Sequence, residues 1–190
     1  MTEEAARLLA LERHVRGFWD GHIVEAATWE HGPILERIPR FSTYRVLPKR
    51  AGEAWVYVTV GCSLFDPAPG GTEFFVMSPL PDEAHSETLA MVGHYHSFEA
   101  HRLDVGSVIH IGRPLTRGSR MDHLLVSLPY PYGPDLEWSP PKAGEARFLW
   151  LLPIHQSEAE FIESEMLDEF ESLMDARSVN ILDLNRDPIV

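Results

Sequence analysis

Apolar residues recur with two different periods along the chain, and the changes between them predict the order of its elements. Residues 3–17 place Ala6, Leu9 and Ala10 at helical spacing before Gly17, which predicts a short N-terminal helix. Prolines at positions 33, 39 and 48 interrupt the next segment. The pattern there predicts irregular structure with one short strand near residues 44–47.

Two apolar stretches in the middle of the chain alternate as β-strands do. In AWVYVTVGCSL, Trp55, Tyr57 and Thr59 fall on one face and three valines fall on the other, which predicts a well-covered strand. TEFFVMSPL predicts a second strand, reached through a long loop that contains the turn sequence PAPGG. We expect the two strands to pair as an antiparallel hairpin.

The stretch after this hairpin predicts a helix and then three more strands. Residues 82–102 lack runs of β-branched residues and predict a helix. Its apolar positions are Met91, Tyr95 and Phe98, with Leu89 and Val92 alongside. Residues 108–111 and the stretches MDHLLVSLPYP and EARFLWLLPI predict strands.

A last helix is predicted to begin at Ser157, in a capping box completed by Glu160. Its apolar stripe consists of Ile162, Met166, Phe170, Leu173 and Met174. Together the elements predict an α+β fold, with one domain built on a mixed, mainly antiparallel sheet flanked by α-helices. Within it, we expect residues 1–49 to pack as a helix and an irregular segment on a main unit formed by residues 50–190.

Acidic residues are concentrated near the C-terminal end. The chain has a formal net charge of −13, and residues 155–190 contain ten acidic residues and two arginines, a formal charge of −8. A field of this sign repels phosphate groups and attracts basic surfaces, so we expect a protein partner and no nucleic acid. The predicted contact residues are Glu163, Glu165 and Glu169 on the acidic helix, and Tyr132 and Trp138 in the proline-rich loop PYPYGPDLEWSPPKAG.

The stretch GHYHSFEAH contains three histidines, His94, His96 and His101, and histidine is a common metal ligand. A strand would place His94 and His96 on one face, but in the predicted helix they point about 160° apart. The sequence contains no nucleophile elbow, Walker loop, dinucleotide fingerprint or HExxH motif. We therefore expect no metal site, no cofactor and no enzymatic activity.

Three residues are predicted to have structural roles. Gly61 ends the first strand of the hairpin. In the closing stretch LDLNRDP, Asp183 and Arg186 lie three positions apart. We expect these two residues to form an ion pair that fastens the C-terminus to the sheet.

The single cysteine and the N-terminal sequence bear on where the protein acts. Cys62 cannot form an intramolecular disulfide, and acidic residues stand where a signal peptide would carry basic ones. No apolar stretch approaches the roughly 20 residues needed to cross a bilayer. We therefore expect a cytoplasmic protein that does not enter a membrane.

The order of these elements resembles the suppressor-of-fused domain family over about residues 50–190. The resemblance lies in three short motifs, which are TVG at the end of the first hairpin strand, LPIxxxE at the start of the last helix, and DLNR near the C-terminus. It implies an α+β domain without catalytic residues. Animal members of the family are regulators that hold transcription factors through an added peptide strand, and short bacterial members resemble immunity proteins encoded beside a toxin.

The sequence therefore favours a non-enzymatic protein-binding module, similar to an immunity protein or antitoxin, that neutralises a basic toxin by binding it. Two alternatives remain open. One is a hydrolase or metal-dependent enzyme that uses the clustered histidines, and the other is a scaffold that binds a peptide at a free sheet edge. A deep pocket with convergent polar groups favours the enzyme, whereas a flat or grooved surface favours binding.

Overall fold

A seven-stranded β-sheet forms the centre of the computed structural model, which describes residues 2–28, 31–66, 70–164 and 166–190. Its strands are β1 (Val24–Thr28), β2 (Ser42–Val46), β3 (Trp55–Val60), β4 (Thr72–Ser78), β5 (Val108–His110), β6 (His123–Ser127) and β7 (Arg147–Ile154). Their order is β1-β2-β3-β4-β7-β6-β5, and every neighbouring pair is antiparallel except β4 and β7. Strands β1 and β5 are therefore the two edges of the sheet.

Six α-helices accompany the sheet in these described residues. They are α1 (Glu3–Phe18), α2 (Ile34–Arg37), α3 (Ala84–His96), α4 (Pro134–Glu137), α5 (Gln156–Ser164) and α6 (Leu167–Ala176). Helix α1 begins as predicted, with the hydroxyl of Thr2 accepting the N–H of Ala5 at 3.3 Å. None of the described helices is long and apolar enough to span a bilayer. The sheet and its helices confirm the predicted α+β fold.

Both faces of the sheet are covered, which produces two main clusters of buried side chains. On one face Val58 and Trp150 pack with residues of α1, α5 and α6. On the other face Phe74 and Leu149 pack under α3. Successive residues of a strand point to opposite faces, so strands covered on both sides are apolar at nearly every position. The hairpin predicted over residues 55–78 is confirmed as the antiparallel pair β3 and β4. Residues 67–69 of the predicted turn PAPGG lie outside the described residues.

The segment predicted to be irregular contributes two strands. The predicted strand near residues 44–47 is β2, which begins at Ser42, whereas β1 was not predicted. The sequence VEAAT has no apolar alternation, and Glu25, Ala26 and Ala27 are exposed. The side chains of β1 therefore contribute little to its formation. The strand forms mainly because its backbone pairs with β2, where Ala26 lies opposite Tyr44.

The last predicted helix is in fact two helices, α5 and α6. Ser157 was predicted to cap it, but Ser157 lies inside α5 and donates its hydroxyl to the carbonyl of Val190 at 3.0 Å. The carboxylate of Glu158 instead accepts the N–H of His155 at 2.8 Å and so satisfies a donor at the start of α5. Met166, predicted in the apolar stripe, is 63% exposed because it stands just before α6.

A buried carboxylate organises the connection that follows β3. Glu73 is fully buried and accepts the hydroxyls of Thr59 and Ser63 at 2.5 and 2.8 Å. It also accepts the backbone N–H of Gly61 at 2.9 Å. Gly61 has a φ of +118°, a region that favours glycine, and a Cβ there would lie 3.1 Å from the carbonyl of Arg40. The residue named from the sequence thus turns the chain toward Glu73.

Arg186 fastens the C-terminal segment, but its partner is not Asp183. Its guanidinium donates two hydrogen bonds, of 2.5 and 2.8 Å, to the two carboxylate oxygens of the fully buried Glu158. Glu158 also accepts the N–H of Ile189 at 3.0 Å. The exposed Asp183 accepts the N–H of Asn185 at 3.0 Å within its own turn. The predicted pairing was therefore wrong, because α5 brings a buried carboxylate to Arg186.

Candidate binding groove

Helix α3 leaves part of its apolar surface uncovered. Leu89 and Val92 point into the core beneath the helix. Met91 and Tyr95 lie on the outward side of the helix and Phe98 follows just after its end, and the three are 41, 42 and 36% exposed. These three residues form an outward stripe. Large apolar side chains that are exposed together are typical of a contact surface.

The outward stripe forms one wall of a groove of about 750 Å³. The opposite wall is the edge strand β5 with Ile111, and residues 31–34 line it near α2. Four histidines lie among the lining residues, namely His31, His94, His101 and His110. Among the residues that the structure describes, no hydrogen bond links any two of these imidazoles. The groove is thus mainly apolar, with separate titratable groups around it.

The outer edge of β5 carries backbone groups that point away from the sheet. The carbonyl of Ser107 and the N–H of Ile111 both form hydrogen bonds toward β6. Because successive residues of a strand direct these groups to alternate sides, the N–H and C=O groups of Val108 and His110 point outward. In the described part of the chain, no strand pairs with β5 on that side. Such an edge can accept another strand.

His96, at the end of α3, is buried and fixed by two hydrogen bonds. Its Nδ1 accepts the N–H of Leu103 at 3.0 Å, so Nε2 carries the proton. Nε2 then donates to the carboxylate of Asp66 at 2.8 Å. His96 therefore joins α3 to two loops and faces away from the groove.

The other two histidines of GHYHSFEAH lie in the groove and contact aromatic rings. His94 packs edge-on against Phe98, with ring centroids 5.1 Å apart. His101 stacks on Tyr95 at 4.3 Å. The helix predicted over this stretch is present, and its geometry sends the histidines into different surroundings.

The acidic residues predicted to meet a partner lie on the last two helices. Glu163 on α5 and Glu169 on α6 are exposed, and Glu165 lies outside the described residues. A second cavity of about 520 Å³ separates α6 from β6 and β7, and Glu171 and Asp175 line it. Partial burial raises the pKa of Glu171, and the charge of Asp175 adds to this rise. None of the residues that line the groove beside β5 belongs to α5 or α6.

The two aromatic residues predicted as partner contacts differ in exposure. Tyr132 packs edge-on against Phe18 and Trp19, with ring centroids 5.7 and 5.5 Å away, and burial raises its pKa to about 12. Trp138 is 51% exposed, and the guanidinium of Arg147 lies over its ring at 5.3 Å. Of the two, only Trp138 offers a large exposed surface.

Sequence reasoning did not connect His110, Asp122 and His123, which meet at the edge of the sheet. His110 stands directly opposite His123 in the register of β5 and β6. One potential ligand atom from each of the three residues lies within 4.8 Å of the other two. Periodicity predicted both strands but not their pairing. Only a predicted register of VIHI against MDHLL would have placed the two imidazoles together.

Comparison with known families gives one match that covers most of the chain. The family model described as "Suppressor of fused protein (SUFU)" matches residues 39–187. This match begins before residue 50, where the resemblance seen in the sequence motifs begins, and it therefore includes β2. Comparison with curated proteins gave no match.

Solved structures with the same fold come from bacteria and animals. A SUFU homologue from Neisseria gonorrhoeae FA 1090 is 36% identical, with a TM-score of 0.88 over 97% of each chain. The Sufu-Fu complex is matched at 15% identity and a TM-score of 0.71, over 97% of this chain and 92% of that one. Drosophila Suppressor of Fused is matched at 16% identity and a TM-score of 0.69, over 89% of this chain and 46% of that one.

Proposed function

Because this chain belongs to the suppressor of fused protein family, we propose that it is a protein-binding module whose partner inserts an extended segment between α3 and β5. The observation that carries the proposal is the meeting of the outward stripe with a free strand edge in one groove. One of the matched structures is the Sufu-Fu complex, so this fold occurs in a protein that binds another protein.

The proposed mode is addition of a strand to β5. The outward backbone groups of Val108 and His110 would pair with the main chain of the segment, and Met91, Tyr95 and Phe98 would contact its alternate side chains. Main-chain hydrogen bonds would supply affinity, and the side-chain contacts would supply selectivity. None of the described residues of the other edge strand, β1, lines either of these two cavities.

We propose further that the partner is basic and is neutralised by binding, as a toxin is neutralised by its immunity protein, in the cytoplasm. The net charge of −13 and the exposed Glu163 and Glu169 support a basic partner, since complementary charge accelerates association and sharpens selectivity. The single thiol, that of Cys62, is buried and compatible with a reducing compartment. No enzymatic role is proposed for the imidazoles in the groove.

Strand addition is tested by removing one outward N–H. A partner is first identified by affinity purification with the full chain and mass spectrometry, and its affinity is then measured by titration. We expect Val108→Pro to weaken binding about fivefold, since a hydrogen bond at an interface is worth about 1 kcal/mol. Val108→Ala is the matched control, because it shortens the side chain and keeps the N–H. Equal affinities of the two variants would contradict strand addition.

The apolar wall is tested with two exposed residues. Tyr95→Ala removes a ring from the groove, whereas Leu80→Ala removes a side chain that is 70% exposed and lies outside it. We expect Tyr95→Ala to weaken partner binding about tenfold, as interface tyrosines often do, and Leu80→Ala to change it little. If the two substitutions have the same effect, the partner does not bind in the groove.

The neutralising role is tested in cells. Co-expression of this chain should restore growth to cells that produce the protein encoded by its neighbouring gene. The triple substitution of Glu163, Glu165 and Glu169 by glutamine should reduce the protection and slow association, most strongly at low salt. Unchanged toxicity in the presence of the wild-type chain would reject the immunity role. Binding in the groove is tested separately, by the titrations of the Val108 and Tyr95 variants.

A further inference from the structure

His110, Asp122 and His123 form a set of metal-ligating groups at the outer side of the β5–β6 pair. We propose that these three residues bind one divalent transition-metal ion of the class to which Zn²⁺ belongs. The proposal departs from the sequence expectation of no metal site. It concerns the chain alone and does not depend on partner binding.

The distances suit a single ion. Nε2 of His110 lies 3.6 Å from Oδ2 of Asp122, and Nδ1 of His123 lies 2.7 Å from Oδ1 of Asp122. Bonds of about 2.0–2.1 Å at tetrahedral angles hold ligand atoms about 3.3 Å apart. All three potential ligand atoms already lie within 4.8 Å of one another. Small side-chain rotations would therefore bring them to one centre.

The backbone holds the three residues in this arrangement. His110 and His123 are opposite each other in antiparallel register, and their rings stack with centroids 4.6 Å apart. The carbonyl of Asp122 accepts the N–H of Ile111 at 2.9 Å, which fixes the chain at the end of the pairing. Two of the three residues thus lie on paired strands, and Asp122 immediately precedes β6.

The ligand types select the class of ion. Two imidazoles and one carboxylate suit zinc and its neighbours in the transition series, whereas Mg²⁺ and Ca²⁺ prefer oxygen ligands alone. Three protein ligands leave coordination positions open to water or to another group. The side chain of His110 is 59% exposed, so an ion bound there would be accessible to solvent.

Calorimetric titration of the full wild-type chain with zinc chloride tests the proposal. We expect one ion per chain, with each of His110→Ala and His123→Ala weakening binding at least tenfold. This lower limit follows because losing even an outer-shell partner of a ligand costs about 10–100-fold. His94→Ala is the matched control, since His94 lines the same groove and lies outside the set. It should bind zinc as the wild type does.

Two further measurements keep the result independent of folding. Circular dichroism of each metal-free variant identifies any that fail to fold, and Asp122→Asn, which keeps the size of the side chain, then replaces them. Cobalt(II) added to the wild type should give visible absorption bands that the folded His110→Ala variant lacks. The proposal is overturned if the wild type binds no zinc, if the ligand substitutions leave affinity within twofold, or if His94→Ala weakens binding as much as they do.

Discussion

Replacing Arg186 by methionine should destabilise the fold strongly, because it removes the cation from a buried pair. Glu158 is fully buried and receives two hydrogen bonds from Arg186. Breaking such a pair from one side costs about 3–5 kcal/mol, since a charge remains buried without its partner. The N–H groups of His155 and Ile189 still donate to Glu158, which favours the lower end of this range.

We expect Arg186→Met to lower the free energy of unfolding by about 3 kcal/mol at pH 7. For a chain of this size, that corresponds to a fall in Tm of about 6–12 °C. Urea unfolding followed by circular dichroism gives the free energy, and thermal unfolding gives Tm. Arg120→Met is the matched control, because Arg120 pairs with Asp187 in the same segment but on the exposed surface. Arg120→Met should leave both the free energy of unfolding and Tm nearly unchanged.

The pH dependence of this difference has a definite sign. Burial alone would raise the pKa of Glu158, but the hydrogen bonds from Arg186 and from two backbone N–H groups outweigh it and hold the pKa below its ordinary value. A depressed carboxyl pKa contributes stability above the unfolded pKa, which is lost as pH falls through the folded pKa. The deficit of Arg186→Met should therefore be largest at pH 7 and shrink toward pH 4. A loss no greater than that of Arg120→Met would refute the reasoning.

Two further predictions concern buried groups around α3. Burial lowers the pKa of His85 to about 4, so the unfolded chain binds a proton that the folded chain does not as pH falls below 6.5. Between pH 7 and pH 5 the wild type should lose about 2 kcal/mol more unfolding free energy than His85→Leu, and equal pH slopes in urea unfolding would contradict this. A Cβ at Gly93 would lie 2.8 Å from Sγ of Cys62, so Gly93→Ala should cost about 1–3 kcal/mol by overpacking. Adding Cys62→Ala should recover part of the loss in thermal unfolding, and no recovery would mean that the clash lies elsewhere.

The sequence predicted the elements whose side chains determine them. Strands β3 and β7 are apolar at nearly every position, and β4 contains the apolar run FFVM, because both faces of the sheet are covered. This pattern is visible without a structure. Strand β1 could not be predicted, because it forms through backbone pairing with β2 and its own sequence carries no strand pattern. The division of the last helix into α5 and α6 was missed because apolar periodicity continues across Met166, which is exposed.

The candidate groove was less visible than the fold. Met91, Tyr95 and Phe98 have the spacing of a buried stripe, but the register of α3 on the sheet buries Leu89 and Val92 and leaves the other three outside. A single helix sequence carries both faces, and only tertiary packing decides which one is covered. The partner of Arg186 and the meeting of the two imidazoles on β5 and β6 likewise depend on contacts between distant segments.

Amide hydrogen exchange of the chain with and without its purified partner tests strand addition most directly. The outward N–H groups of Val108 and His110 should exchange at least about tenfold more slowly in the complex, because a new hydrogen bond protects each of them. Ala26 on β1 is the internal control, since its N–H points outward at the other edge and should be unaffected. Unchanged exchange at Val108 and His110, with protection confined to α5 and α6, would contradict binding in the groove.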